Sequence, residues 1–214
     1  VNLSGEFLSN VNLQDADISY GNFSAASMPD AKMARANLDM ANFTEADLRN
    51  AELSLCSMNE TDLSGAQLEG TILSGATMVE ANLSKVQGER VALNGANLER
   101  ANMVESVLSH ANLERATLTG ANLGWANLSR ANLDEARLNG ANLSGAFLFG
   151  TRVSLKSLST AKSLANATMP DGVKYEEWIR RQSGEYVPAA TMSSGESTGS
   201  EYDSPLDYTP TQEI

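Results

Sequence analysis

The chain has 214 residues, 42% of them hydrophobic and 20% charged, which suits one folded domain with a tail. A single cysteine, Cys56, excludes a disulfide framework and a cysteine metal cage, and a single histidine, His110, excludes most histidine-rich metal sites. No apolar run approaches the roughly 18 residues of a membrane-spanning helix, and a formal net charge of −12 argues against generic binding to phosphate backbones.

The start shows no initiator methionine, no basic n-region and no apolar h-region, so no signal peptide is visible. Val1-Asn2-Leu3 enters directly in the frame of a repeat. The expectation is of a processed or truncated piece whose upstream residues covered its first turn. A cytoplasmic location is the default, with export left open.

Ala121-Asn122-Leu123, Ala126-Asn127-Leu128 and Ala131-Asn132-Leu133 recur at a spacing of five, and the frame holds over residues 1–160. Number the positions of each unit one to five. Position three holds 22 Leu, 5 Met, 2 Phe, 1 Ile, 1 Val and 1 Gly, so it reads as a continuous apolar column. Position one is Ala in 20 of the 32 units, and position two carries 13 Asn and 3 Asp. Position five holds 9 of the 16 glycines, which marks it as a turn. Five residues of α-helix advance about 500°, which would smear the leucines around every face. In a straight strand an odd spacing puts alternate leucines on opposite faces. A short extended side followed by a turn, always in the same sense, brings every leucine to one axis. Asn at position two is expected to cap backbone groups at the turn.

The run A-(N/D)-L-x-x over residues 1–158 resembles the pentapeptide-repeat family. That resemblance implies an all-β fold, a right-handed quadrilateral parallel β-helix with four units per coil and about eight coils. With the residues that follow the repeats, the chain divides into the β-helix at 1–170, a short capping helix at 171–183 and a disordered acidic tail at 184–214. The likeness extends to cyanobacterial members, including regulators of heterocyst differentiation, through the ending Ala167-Thr168-Met169-Pro170-Asp171-Gly172. Phe23 and Phe43, 20 residues apart, are expected to stack.

Along such a rod, residues 1–80 carry twelve acids and three bases, while residues 81–170 carry six acids and nine bases. Four coils span about 19 Å, a length over which duplex DNA carries about 11 charges. Asp17, Asp39, Glu60, Glu80 and Glu99 would line one face of the four. Some pentapeptide-repeat proteins resemble DNA and occupy the DNA groove of DNA gyrase, so an acidic DNA mimic is one reading. At mid-rod, Gly88 stands where a leucine is expected, and Val86 and Val91 replace alanines. The expectation is that the two valines fill the missing volume. Farther on, Val104, Val107, Trp125, Phe147 and Phe149 occupy outward positions on adjoining faces and form a candidate contact patch.

After Leu158 the phase slips by one, and Leu164 and Met169 suggest a last partial coil. Tyr175, Trp178 and Ile179 fall at helical spacing and are expected to cap it. Residues 184–214 are rich in Ser, Thr, Gly, Pro and acid. Nothing pairs a nucleophile with a base: His110 points outward and Cys56 sits in a small buried column. The chain therefore reads as a non-enzymatic, cofactor-free and metal-free scaffold that binds another protein or itself as a dimer, with no direct nucleic-acid or membrane contact. The alternative is a DNA mimic that binds gyrase or another DNA-binding protein through its acidic half.

Overall fold

The structure, a computed structural model, describes residues 1–182. Every position five from Gly5 to Gly150 has a positive φ, between 55° and 71°. That conformation turns the chain once per unit. The position-one N–H closes the turn on the position-three carbonyl, as Ala26 does on Phe23 at 3.0 Å. Between turns, positions two and three pair with the neighbouring coils. Leu3 N–H donates to the Asn22 carbonyl at 2.7 Å, and Asn22 N–H donates to the Val1 carbonyl at 2.9 Å. Parallel bridges link Asn2 to Asn22, Asn22 to Asn42, and so on to Asn132 with Arg152, always 20 residues apart. Four units therefore complete one coil.

The position-five donor, and the position-four donor where position two is Asn, also find acceptors. Gly5 N–H at position five reaches the Ser24 carbonyl at 2.9 Å. The position-four N–H lacks a backbone acceptor in these units, and the Asn side chain at position two supplies one. Ser24 N–H donates to Asn22 Oδ1 at 3.1 Å, and Thr44 N–H to Asn42 Oδ1 at 2.9 Å. The capping expected of position two is therefore present. The same amides also ladder between coils, with Asn82 Nδ2 on Asp62 Oδ1 at 3.0 Å and Asn142 Nδ2 on Asn122 Oδ1 at 2.9 Å. The all-β expectation needs one refinement. Each side is an isolated bridge rather than a strand, because each unit has three residues outside its turn and only the one at position two is bridged.

Positions three and one fill the axis, and from Phe23 to Leu148 their apolar side chains are buried. Each leucine so enclosed contributes about 1.5–3 kcal/mol. The Phe23 and Phe43 rings stack at 4.8 Å and 8°. The larger ring needs space nearby: a Cβ at Gly21 would sit 2.5 Å from Phe23 Cε2. At Gly88 a Cβ would meet Leu108 Cδ2 at 3.2 Å and Val91 Cγ1 at 3.4 Å, so its neighbours have closed over the gap. The ladder passes through Gly88 unbroken, with its N–H on the Val107 carbonyl at 2.8 Å. Polar residues in position one are satisfied inside. Thr61 Oγ1 donates to the Leu38 carbonyl at 2.9 Å, and Thr71 Oγ1 to the Leu48 carbonyl at 2.7 Å.

The phase slip has a structural cause. Helix α1, Leu155–Leu158, replaces the fourth side of the eighth coil. Ser154 caps it by accepting Ser157 N–H at 3.0 Å. Beyond α1 the register is 21, with Asn142 bridged to Ser163 and Phe147 to Thr168. Leu164 and Met169 are buried in the final partial coil. Helix α2, Tyr175–Gln182, follows a turn in which Gly172 N–H donates to the Met169 carbonyl at 2.8 Å. Tyr175 and Trp178 pack against the core, their rings 6.4 Å apart. Ile179 remains 42% exposed, so the cap rests on two of the three residues expected. The tail at 184–214 lies outside the described residues.

Two substitutions separate the contributions at a corner. Gly65→Ala meets only Glu45 Cγ, at 3.4 Å, so it tests the left-handed conformation alone. It should destabilise by about 1 kcal/mol, and Ala25→Gly, at φ 55°, should recover up to a similar amount. Thermal melts followed by circular dichroism measure both.

Candidate interaction surfaces

The 20-residue register fixes which outward residues are neighbours. Call the side whose inward column runs from Leu8 through Met28 and Leu48 to Leu148 the second side. It begins at the corner column containing Trp125 and ends at the column containing Asp30, His110 and Arg130.

Trp125 is 66% exposed and lies flat on the next coil: a Cβ at Gly145 would sit 2.5 Å from its Cδ2. Gly145 therefore provides a seat as well as a turn. Leu55 over Gly75 and Arg130 over Gly150 repeat the arrangement. Phe147 and Phe149 stand on the second side in the eighth coil, each 43% exposed, with ring centroids 6.3 Å apart. The Gly172 turn supports Phe149, since a Cβ there would sit 3.3 Å from its Cδ2. Val107 belongs to the same column as Phe147, bridged through Asn127, but is half-buried, as is Val104. The exposed part of the expected patch is thus its three aromatic rings.

Two outward aromatics, Phe7 and Tyr20, escaped the sequence reading. Phe7 is 88% exposed and shares the column of Phe147 at the opposite end of the rod. The signal was available, because position two faces outward in every unit. Tyr20, Met40 and Leu55 are also exposed, at position-five corners.

The five acids of the candidate acidic face do share the fourth side and its following corner. Their charges are unequal in availability. Asp39 Oδ1 accepts from Ser57 Oγ at 2.7 Å and Asn59 N–H at 2.8 Å. Arg100 bridges Glu80 at 2.8 Å and Glu99 at 2.5 Å. Hydrogen bonds from Ser19, followed by one from Asn37, hold the Asp17 carboxyl below the usual carboxylate range. Glu60 makes no ion pair among the described residues. In the opposite half, Arg115 pairs with Glu135 at 2.8 Å and Arg152 with Asp134. Exposed pairs like these contribute little to stability because water screens them.

Cys56 offers no nucleophile. It is buried, its Sγ donates to the Met33 carbonyl at 2.8 Å, and burial pushes its thiol up to about 11. Among the described residues, no group of three or more His, Cys, Asp or Glu side chains could hold a metal ion.

The pentapeptide-repeat family model matches eight copies, over residues 26–65, 61–87, 89–120 and 118–154, more than half of the chain. The chain belongs to the pentapeptide-repeat family. Its members fold as right-handed quadrilateral β-helices, and the 20-residue register here is the same architecture. The chain is similar to a trypsin-treated, singly substituted form of QnrB1, a plasmid-mediated fluoroquinolone resistance protein, at 15% identity and a TM-score of 0.72. That match covers 88% of this chain and 93% of the other. Full-length QnrB1 gives 15% identity and a TM-score of 0.71, covering 86% and 92%. HetL, a heterocyst differentiation protein of the cyanobacterium Nostoc sp. strain PCC 7120, is 29% identical over 82% of this chain and 92% of its own, at a TM-score of 0.23. No curated protein matches the chain by sequence.

Two features of this pentapeptide-repeat protein can be checked directly. Gly145→Ala pushes a methyl into the Trp125 ring at a φ of 70°, and should change tryptophan emission. It should also cost about 1–2 kcal/mol, measured by thermal melts. The raised Cys56 pKa means that the folded state holds its proton more tightly than the unfolded state. Its contribution is complete below about 9 and is lost as pH rises through about 11. Denaturant midpoints across that window should fall for wild type and stay flatter for Cys56→Ala.

Proposed function

We propose that this chain is a non-enzymatic binding scaffold that engages a protein through the outer surface of its last three coils, with Trp125, Phe147 and Phe149 as anchors. The observation that carries this reading is the seating of Trp125 on Gly145, which leaves a large ring both fixed in place and exposed. A side chain ordered before binding loses little conformational entropy on binding, and tryptophan is prominent among interface hot spots. The solid leucine axis supports a role for the outside of the rod rather than for an internal pocket.

A second reading is a DNA mimic that binds gyrase or another DNA-binding protein. The excess of acid in residues 1–80 favours it, as does Glu60, which has no ion-pair partner among the described residues. Against it stand the sharing of Arg100 by Glu80 and Glu99 and the excess of bases farther along the rod.

Capture by the immobilised full-length chain separates the two. The anchor reading expects capture that survives rising salt and falls about tenfold or more in a Trp125→Ser, Phe147→Ser variant with an unchanged circular dichroism spectrum. Capture of gyrase that weakens steeply with salt and persists in that variant supports the mimic instead. A variant that loses stability without losing capture shows that the rings serve the fold alone.

A further inference from the structure

We infer that the second side binds the same side of a second copy, the two rods antiparallel about a two-fold axis that crosses the middle of the rod. This rests on the anchor reading above and names the partner of those anchors.

Phe7 and Phe147 are two exposed rings in one column, in the first and eighth coils. A two-fold axis lying in the interface and perpendicular to the rods places coil one against coil eight, and each column against itself. Phe7 of one copy then meets Phe147 of the other, once at each end. Three further matches follow from that single placement. Asp30, in the second coil, falls opposite Arg130, in the seventh. Neither charge has an ion-pair partner among the described residues, although both are exposed. Trp125 and the Gly145 that it covers fall opposite Ala25 and Gly5, small residues that leave room for the indole. Asn50, at the edge of a shallow groove lined by Pro29, Arg49 and Glu69, falls opposite His110.

Two like-charge pairs are also created, Glu45 with Glu105 and Glu69 with Glu89. Each pair already has a cation beside it: Lys85 lies 3.9 Å from Glu105, and Arg90 lies 3.3 Å from Glu89. A parallel pairing of the same sides has its two-fold along the rods, which sets each coil against itself and reverses the order of the columns. Lys85 would then face Arg90, each with its own glutamate beside it, and both the Asp30–Arg130 and the Phe7–Phe147 matches would be lost, so it is those two matches that favour the antiparallel arrangement. The size also suits a stable dimer. Eight coils at about 4.8 Å, and a side about 15–20 Å wide with its corner residues, give roughly 600–800 Å² per copy. A standard interface buries about 800 Å² per partner.

The test uses the full chain. Sedimentation should give a dimer at about 100 µM or below. Asp30→Arg and Arg130→Asp should each weaken it at least tenfold, and the two together in one chain should restore it, because the symmetry re-forms the pair in reverse. Orientation is read by mixing a Phe7→Cys chain with a Phe147→Cys chain and adding a short bismaleimide, with buried Cys56 as the unreactive background. Linked dimers should form in the mixture and not in either sample alone, since two copies of position 7 would lie about 34 Å apart. Links within a single variant, or a swap that fails to restore the dimer, overturn the arrangement. A wild-type chain that stays monomeric throughout overturns self-pairing and leaves a different protein as the partner of the anchors. A dimer untouched by Phe147→Ser, with an unchanged circular dichroism spectrum, overturns the anchor reading as well.

Discussion

The structure depends on the pairing of each position-two backbone with its equivalents one coil below and one coil above. Asn22 donates to Val1 and accepts from Leu3, and Phe23 carries the ladder onward by donating to Asn42. No unit closes its own hydrogen bonds, apart from the turn bond and the side-chain cap. A five-residue segment is therefore unstable alone and stable in a stack, as expected of a quasi-one-dimensional repeat protein. The leucine axis is a consequence of that register. Once the bridges lie 20 residues apart, position three can point only inward and position two only outward.

Much of this was legible in the sequence because one property, a fixed spacing, determines both backbone and core. The column of 22 leucines, the alanines beside it and the glycines at position five require a turn in every unit. The number of sides per coil came from the family resemblance, with the Phe23 and Phe43 stack as its check. Gly88 was readable in part: Val91 closes on it as expected, but the nearest atom belongs to Leu108 of the next coil, and Val86 is not among the three nearest contacts. What the sequence did not reveal was the small scale of each side, a single bridge, or the insertion of α1 where the phase slips. A run such as Leu155-Lys156-Ser157-Leu158 carries no periodic signal of its own at four residues.

The candidate site was legible in part. Trp125, Phe147 and Phe149 stood out as apolar residues at polar positions. The seat beneath Trp125 did not, since it requires reading Trp125 and Gly145 as neighbours across a coil. Phe7 was missed for a related reason: its significance comes from Phe147, seven coils away in the same column. The acidic residues could be counted from the sequence, but the sharing of Arg100 by Glu80 and Glu99 emerges only once the coil register brings residues 20 apart together.

The helix that interrupts the eighth coil has a consequence for the size of the particle. An uninterrupted ladder presents its last edge as a template on which any similar strand, including another molecule's first turn, could continue indefinitely. α1 removes one side of that template, and Tyr175 and Trp178 of α2 pack against the core at the same end. At this end, four residues of misfit and two rings convert a potential fibril into an object of defined length.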